Sequence, residues 1–290
     1  MTEIVGSLRE VSPDYDAAFC DVWGCLHDGI AAFPEAVAAL REFRADGGVV
    51  VLVTNSPRPR DAVERQLARL GVPDDAWDAV ATSGDSARAA MFRGLVGRRV
   101  HHIGPPQDEP FFEPMEVVED IGIERVPLAE AEGLVVTGPL RDTDAASDYR
   151  ATFLAAKQRG LKLLCANPDL VVDIGDRRII CAGAMAAEYS SMGGESLYFG
   201  KPHPPIYDLA RRRMARIRDV EDDRILCIGD GVGTDVSGAL QEGLDCLLVT
   251  GGLPAFETGT PPAGQPDPER LERFLAAAAI DVPYAVGFLR

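Results

Sequence analysis

The chain of 290 residues contains no apolar run near the roughly 20 residues needed to cross a bilayer. Residues 1–16 lack a basic start followed by an apolar stretch, so no secretion signal is expected and a cytoplasmic protein is. Cysteine is sparse and unpaired in spacing: Cys20, Cys25, Cys165, Cys181, Cys227 and Cys246 offer no metal-binding repeat. Most lie in or beside apolar runs, where they read as reduced, buried small hydrophobes. Positive charge is also short, with 29 Lys and Arg against 46 Asp and Glu, a formal net charge of −17. That balance opposes nucleic acid and anionic membrane surfaces as partners. There is no internal repeat and no low-complexity tail.

What the chain does have is an alternation of short apolar runs with segments of helical period. Helices are expected over 34–46, ended by Gly47-Gly48, over 59–70, ended by Gly71, over 204–216 and over 269–279. The interleaved apolar runs make this an α/β chain, with a doubly wound parallel sheet joined by helical crossovers. The stretch between Ser56 and Gly200 is too long for one crossover and predicts a second α/β domain. Its strands are expected at 100–103, 134–137 and 161–165, and a helix at 145–159. The boundaries read as a core of 1–84 and 188–290 around an insert of 85–187. The segment 251–268, rich in Gly, Pro and Thr, reads as a connection.

Four polar clusters follow apolar runs. Asp21 ends Ala17-Ala18-Phe19-Cys20 and opens Val22-Trp23-Gly24-Cys25-Leu26-His27-Asp28-Gly29; Thr54-Asn55-Ser56 follows Val49-Val50-Val51-Leu52-Val53. Gly200-Lys201-Pro202 follows Leu197-Tyr198-Phe199, and Gly229-Asp230-Gly231-Val232-Gly233-Thr234-Asp235 follows Ile225-Leu226-Cys227-Ile228. In a parallel sheet such clusters would converge on one edge, where open α/β sheets bind ligands. Three crowded carboxylates repel one another unless a cation sits among them, and oxygen ligands favour a hard ion such as Mg²⁺. A carboxylate can attack phosphorus while a metal, a lysine and hydroxyl or backbone donors stabilise the phosphoryl oxygens. Phosphoryl transfer is the chemistry this set fits best.

In its four motifs and their order the sequence resembles the haloacid dehalogenase (HAD) superfamily of aspartate-nucleophile phosphatases. The resemblance covers nearly the whole chain and is strongest to class IIA, the NagD-like and p-nitrophenyl-phosphatase-like hydrolases. It implies that Asp21 is the nucleophile, that Thr54 and Asn55 hold the transferring phosphoryl group, and that Lys201 neutralises nucleophile and phosphate. It also implies Mg²⁺ bound by Asp21, Asp230 and the main-chain carbonyl of Trp23, with Asp235 a ligand or one layer behind. The insert would be a class IIA cap, whose Asn167-Pro168-Asp169 turn contacts the substrate. Caps of this class often contribute to dimers, so a homodimer stays open. The expected partner is a small phosphorylated molecule.

One position departs from the pattern. Where most phosphatases of the superfamily carry a second aspartate that protonates the leaving group, this chain has Trp23, and an indole transfers no proton near neutral pH. Losing a positioned acid/base typically costs about 10²- to 10⁴-fold in rate. Three explanations stand: His27 or Asp28 supplies the proton, the leaving group needs none, or the protein binds phosphorylated ligands with little turnover. An aromatic here is also similar to the superfamily's dehalogenases, which carry a tyrosine there and work without metal; Asp230 and Asp235 argue against that reading. His27 itself reads as a solvated turn residue.

Arg58, held between Pro57 and Pro59 at a helix start, is a further candidate contact for phosphate or substrate. His101 and His102 alternate along an expected strand and so point to opposite faces, which makes them a poor metal pair. His203 reads as part of a rigid connection after Lys201.

Overall fold

The computed structural model of the chain describes residues 2–115, 121–174 and 177–290; 116–120 and 175–176, both inside the expected insert, lie outside the described residues. Its strands, in chain order, are β1 (Glu3–Ile4), β2 (Ala17–Cys20), β3 (Val49–Thr54), β4 (Ala79–Thr82), β5 (Arg99–Ile103), β6 (Glu124–Arg125) and β7 (Gly133–Val136). There follow β8 (Lys162–Cys165), β9 (Val171–Ile174), β10 (Arg177–Ile180), β11 (Glu195–Tyr198), β12 (Ile225–Gly229), β13 (Asp245–Val249) and β14 (Tyr284–Val286).

Two compact units result. The first comprises Met1–Thr54, Glu64–Ala81 and Tyr207–Arg290, and the second Asn55–Val63 and Thr82–Ile206. The first is built on a seven-stranded sheet in the order β1-β14-β13-β12-β2-β3-β4. β12, β2 and β3 pair in parallel at its centre. Every residue of these three strands is buried, as a parallel sheet covered on both faces requires. The helix Pro34–Ala45 leaves β2 and returns to β3, starting at Pro34 because proline lacks the N–H that a first helical turn leaves unpaired.

The second unit carries a five-stranded sheet in the order β11-β8-β7-β5-β6, parallel throughout, and the antiparallel pair β9 and β10. Alternation along its strands supplies two cores. Leu134, Val136, Leu163 and Cys165 pack with Phe153 and Tyr189 on one face, while Val100, Val135 and Leu164 pack with Met91 and Phe92 on the other. The helices that cover the first face are Arg150–Gln158 and Ala182–Ser191; Ser83–Phe92 covers the second. This is the α/β architecture read from the sequence: a doubly wound sheet and an inserted α/β cap.

Three details differ from expectation. Residues 55–63, 82–84 and 188–206, all expected in the core, fall in the second unit, the last of these because β11 pairs with β8. The helix expected over 145–159 is a 3-10 turn, Ala146–Tyr149, leading into Arg150–Gln158. A short helix, Ala255–Thr258, interrupts the expected connection of 251–268.

Candidate active site

In the first unit, register decides which side chains meet. Cys20 is level with Leu52 of β3 and with Ile228 of β12. Asp21, Thr54 and Asp230 therefore leave the same edge of the sheet within two residues of one another, at the carboxyl ends of adjacent strands. The Asp21 amide donates to the Ile228 carbonyl at 2.8 Å, extending the ladder to the reactive position itself. Asp21, Thr54 and Asp230 are all buried.

Among the described residues, Asp21, Cys25 and Asp230 bring ligand atoms within 4.8 Å of one another. Two buried carboxylates at that separation repel by about 3 kcal/mol at an effective dielectric constant of about 20, and a cation between them reverses the sign. The space around Asp230 is cleared for such an ion by glycine: a Cβ at Gly24 or at Gly252 would overlap the Asp230 carboxylate. Gly24 also sits at φ +83°, a conformation that costs other residues energy. The Leu253 amide donates to Asp230 Oδ2 at 2.8 Å and fixes its rotamer. The Trp23 carbonyl accepts no hydrogen bond among the described residues. Two carboxylates and a free carbonyl suit a hard divalent ion, so the residues present fit Mg²⁺.

Asp235 is buried beside this group and braces the loop after β12. Its Oδ2 accepts from the Gly231 amide and the Thr234 hydroxyl, each at 3.2 Å.

The turn after Asp21 is closed by main-chain bonds, with the Leu26 and His27 amides donating to the Val22 carbonyl at 2.9 and 3.2 Å. The Trp23 ring meets the His27 ring edge-on at 5.2 Å. His27 is not the solvated residue expected: it is 2% exposed, and its Nδ1 accepts from the Gly29 amide at 3.0 Å. Burial pushes its pKa below the usual histidine value, so the ring is neutral. Asp28 Oδ1 accepts from the Ile30 and Ala31 amides, both at 2.8 Å, and those bonds hold its carboxyl below the usual range. Neither side chain is a carboxylic acid or imidazolium near neutral pH.

The second unit holds the other expected residues. Asn55 Nδ2 donates to Asp169 Oδ1 at 2.8 Å and to the Lys201 carbonyl at 3.1 Å, while Asn55 Oδ1 accepts from the Lys201 amide at 2.7 Å. Asn55, Asp169 and Lys201 are thus brought together, with Asn55 and Lys201 buried. Asn167 Oδ1 accepts from the Asp169 amide at 2.9 Å and shapes the turn. Arg58 is half-buried, and its charge acts on Asp108. Lys201 follows β11, a strand of the five-stranded sheet, whereas sequence reasoning expected all four clusters on one sheet.

Two residues escaped sequence reasoning. Cys25 was read as packing, yet its thiol stands with the Asp21 and Asp230 carboxylates; burial first, then those two charges, push its pKa well above the ordinary thiol value. The signal was its place four residues after Asp21 in the same turn. Asp108, in a 3-10 helix of the second unit, is buried, and burial raises its pKa against the opposing effects of a Thr137 hydrogen bond and Arg58. Nothing in its local sequence marks it. His101 and His102 do diverge as expected, His101 Nδ1 to the Val126 carbonyl at 3.1 Å and His102 Nε2 to Thr137 Oγ1 at 3.0 Å. Among the described residues, the six cysteines are buried and form no disulfide. Among the described residues, no helix is long and apolar enough to cross a membrane.

Comparison with known proteins gives the family of the chain. Residues 18–123 match the haloacid dehalogenase-like hydrolase family, and residues 198–278 a second HAD-hydrolase-like family. A haloacid dehalogenase-like hydrolase from Brucella suis 1330 is 40% identical, with a TM-score of 0.85 over 99% of this chain and 100% of that one. The ribonucleotide monophosphatase NagD of Escherichia coli K12 is 25% identical over 242 residues, 82% of this chain and 88% of NagD. The p-nitrophenyl phosphatase of Archaeoglobus fulgidus shares the fold, with a TM-score of 0.71 at 21% identity over 95% of this chain and 97% of its own. The chain belongs to the haloacid dehalogenase-like hydrolase family, in its class IIA.

Proposed function

We propose that this HAD-type phosphatase hydrolyses a small phosphorylated metabolite through an aspartyl-phosphate on Asp21, with Mg²⁺ as cofactor. The observation that carries the reading is the pair of buried carboxylates, Asp21 and Asp230, held within 4.8 Å at the ends of adjacent parallel strands. The naming of NagD as a ribonucleotide monophosphatase supports a phosphate monoester as substrate.

In this mechanism an Asp21 oxygen attacks phosphorus as the bond to the leaving oxygen breaks, its electron pair going to that oxygen. Water then attacks phosphorus, the bond to Asp21 breaks, the carboxylate is restored and inorganic phosphate leaves. Mg²⁺, held by Asp21, Asp230 and the Trp23 carbonyl, supplies positive charge for the phosphoryl oxygens when bound. Asp235 keeps the Asp230 loop in shape. Thr54 and Asn55 are assigned to the phosphoryl oxygens, and Lys201 to the charge of nucleophile and phosphate. Arg58, Asn167 and Asp169 are assigned to substrate contact. The protein works in the cytoplasm in this reading, and a net charge of −17 speaks against nucleic acid and anionic membranes.

Trp23 favours a narrower substrate range. With His27 neutral and Asp28 ionised, the turn supplies no acid of suitable pKa, so leaving groups that depart without a proton, such as aryl or acyl oxygens, are turned over best. The same observation supports a second reading, a phosphate-ligand binder with little turnover.

Incubating the protein with Mg²⁺ and a panel of phosphate esters separates the two. Phosphate release by wild type and not by Asp21→Asn supports the enzyme, whereas tight ligand binding without release supports the binder.

A further inference from the structure

The donor set at the mouth of β2 and β12 is not purely hard. Cys25 lies in the turn that Asp21 opens, is 1% exposed, and places its sulfur within 4.8 Å of ligand oxygens of both Asp21 and Asp230. Its thiol has no hydrogen-bond partner among the described residues. By contrast, the Cys20 and Cys165 thiols donate to the Asp21 and Asn167 carbonyls, at 3.1 and 3.2 Å. Donor atoms sharing one ion at 2.0–2.3 Å lie roughly 3 to 4.5 Å apart, so the three atoms need only small adjustments to surround a single metal. Two carboxylates and one sulfur form a mixed set, and sulfur draws borderline and soft ions that magnesium's oxygen-only chemistry does not match.

We propose that Asp21, Cys25 and Asp230 bind a thiophilic divalent ion of the Zn²⁺ or Cd²⁺ type through a metal–sulfur bond, in competition with Mg²⁺. On binding, the Cys25 S–H bond breaks, the sulfur keeps the electron pair and donates it to the metal, and the proton passes to solvent. No oxidant or reductant is involved. The thiophilic ion occupies the seat of the hard ion and engages Asp21, so it inhibits rather than activates. The inference rests on the metal-binding part of the proposed function.

The test uses the whole protein and Cd²⁺, read by optical spectroscopy and not by activity. Titration of wild type is expected to give a sulfur-to-cadmium charge-transfer band that saturates at one equivalent, releases one proton per ion and is reversed by excess Mg²⁺. Cys25→Ser and Cys25→Ala each abolish the band and weaken Cd²⁺ by no less than about tenfold, since even residues that only support a ligand cost that much. Their affinity for Mg²⁺, followed by thermal shift, stays that of wild type. Should either variant fail to fold, ¹¹³Cd NMR of wild type distinguishes a sulfur-bound from an all-oxygen ion. No band in wild type, a band that survives in the Cys25 variants, or one that Mg²⁺ does not reverse overturns the inference. If Mg²⁺ still binds in those cases, the proposed function stands; if neither Mg²⁺ nor Cd²⁺ binds, both fall together.

Discussion

Asn55 and Lys201, 146 residues apart in sequence, exchange two hydrogen bonds: the Asn55 side chain donates to the Lys201 carbonyl at 3.1 Å and accepts from its amide at 2.7 Å. The arrangement imitates a rung of a sheet ladder, with a side-chain amide in place of one strand. It fixes the backbone on which the Lys201 ammonium is carried, and the second Asn55 N–H is spent on Asp169.

Removing that amide therefore leaves three buried or half-buried polar groups without a partner they now have. Asn55→Ala is expected to destabilise the protein by about 1 to 3 kcal/mol, and Asp169→Ala by less. Urea unfolding of both and of the double variant checks this: the double variant should cost less than the sum, because Asn55 and Asp169 share a bond.

The glycines facing Asp230 give a second prediction. Gly252→Ala places a methyl group against the Asp230 carboxylate and should weaken Mg²⁺ binding at least about tenfold while the fold persists. Gly24→Ala adds the cost of a side chain at φ +83°, about 1 kcal/mol. Isothermal titration with Mg²⁺ and thermal unfolding measure the two effects separately; unchanged metal affinity in both variants would remove Asp230 from the site.

Asp235→Asn keeps one oxygen to receive the Gly231 amide but loses charge. A fall of about 10- to 100-fold in Mg²⁺ affinity is expected, with the fold intact. Full loss of binding would instead make Asp235 a direct ligand.

Trp23→Asp puts a carboxyl two residues after Asp21, in the position the family resemblance assigns to a proton donor. Turnover of alkyl phosphates should rise by about 10²-fold, with little change for aryl phosphates. The ring's contacts with His27 and the turn go with it, so some stability is lost. No gain on alkyl phosphates, with the fold intact, would mean that another group already delivers the proton.

His102 supplies a pH signature. Burial first, then the Arg125 charge, lowers its pKa from 6.5 to about 4. The unfolded chain takes up a proton below about pH 6.5 while the folded protein does not, so stability falls as pH drops from 6.5 toward 4 and this group adds no further loss below that. The total is on the order of 3 kcal/mol. His102→Gln should flatten this part of the curve in urea melts followed from pH 7 to 4; buried His27, with its lowered pKa, contributes a residue of the same sign.

Much of the molecule was legible in the chain alone. Apolar runs of strand length and helices bounded by Pro34, Gly47 or Gly71 specify local structure through neighbours a few residues away, so β2, β3, β12 and the helices between them emerged near their true limits. Asp21 and Asp230 were legible as strand-end carboxylates because each directly follows a continuous apolar run of strand length. His27 was misread because turn residues are usually wet, and what buries this one is its own turn closing over it.

The sequence by itself determined the α/β class, the strand ends that carry Asp21, Thr54 and Asp230, and the family to which the chain belongs. Only the tertiary structure decided that β11, the strand that leads to Lys201, joins the five-stranded sheet; that Asn55 is spent on Asp169 and the Lys201 backbone; and that Cys25 stands with two carboxylates. The reason is physical. Periodicity and turn chemistry are local, so a chain displays them in its order of residues, whereas strand partners and donor clusters depend on which distant segments share a register, and no single segment encodes that.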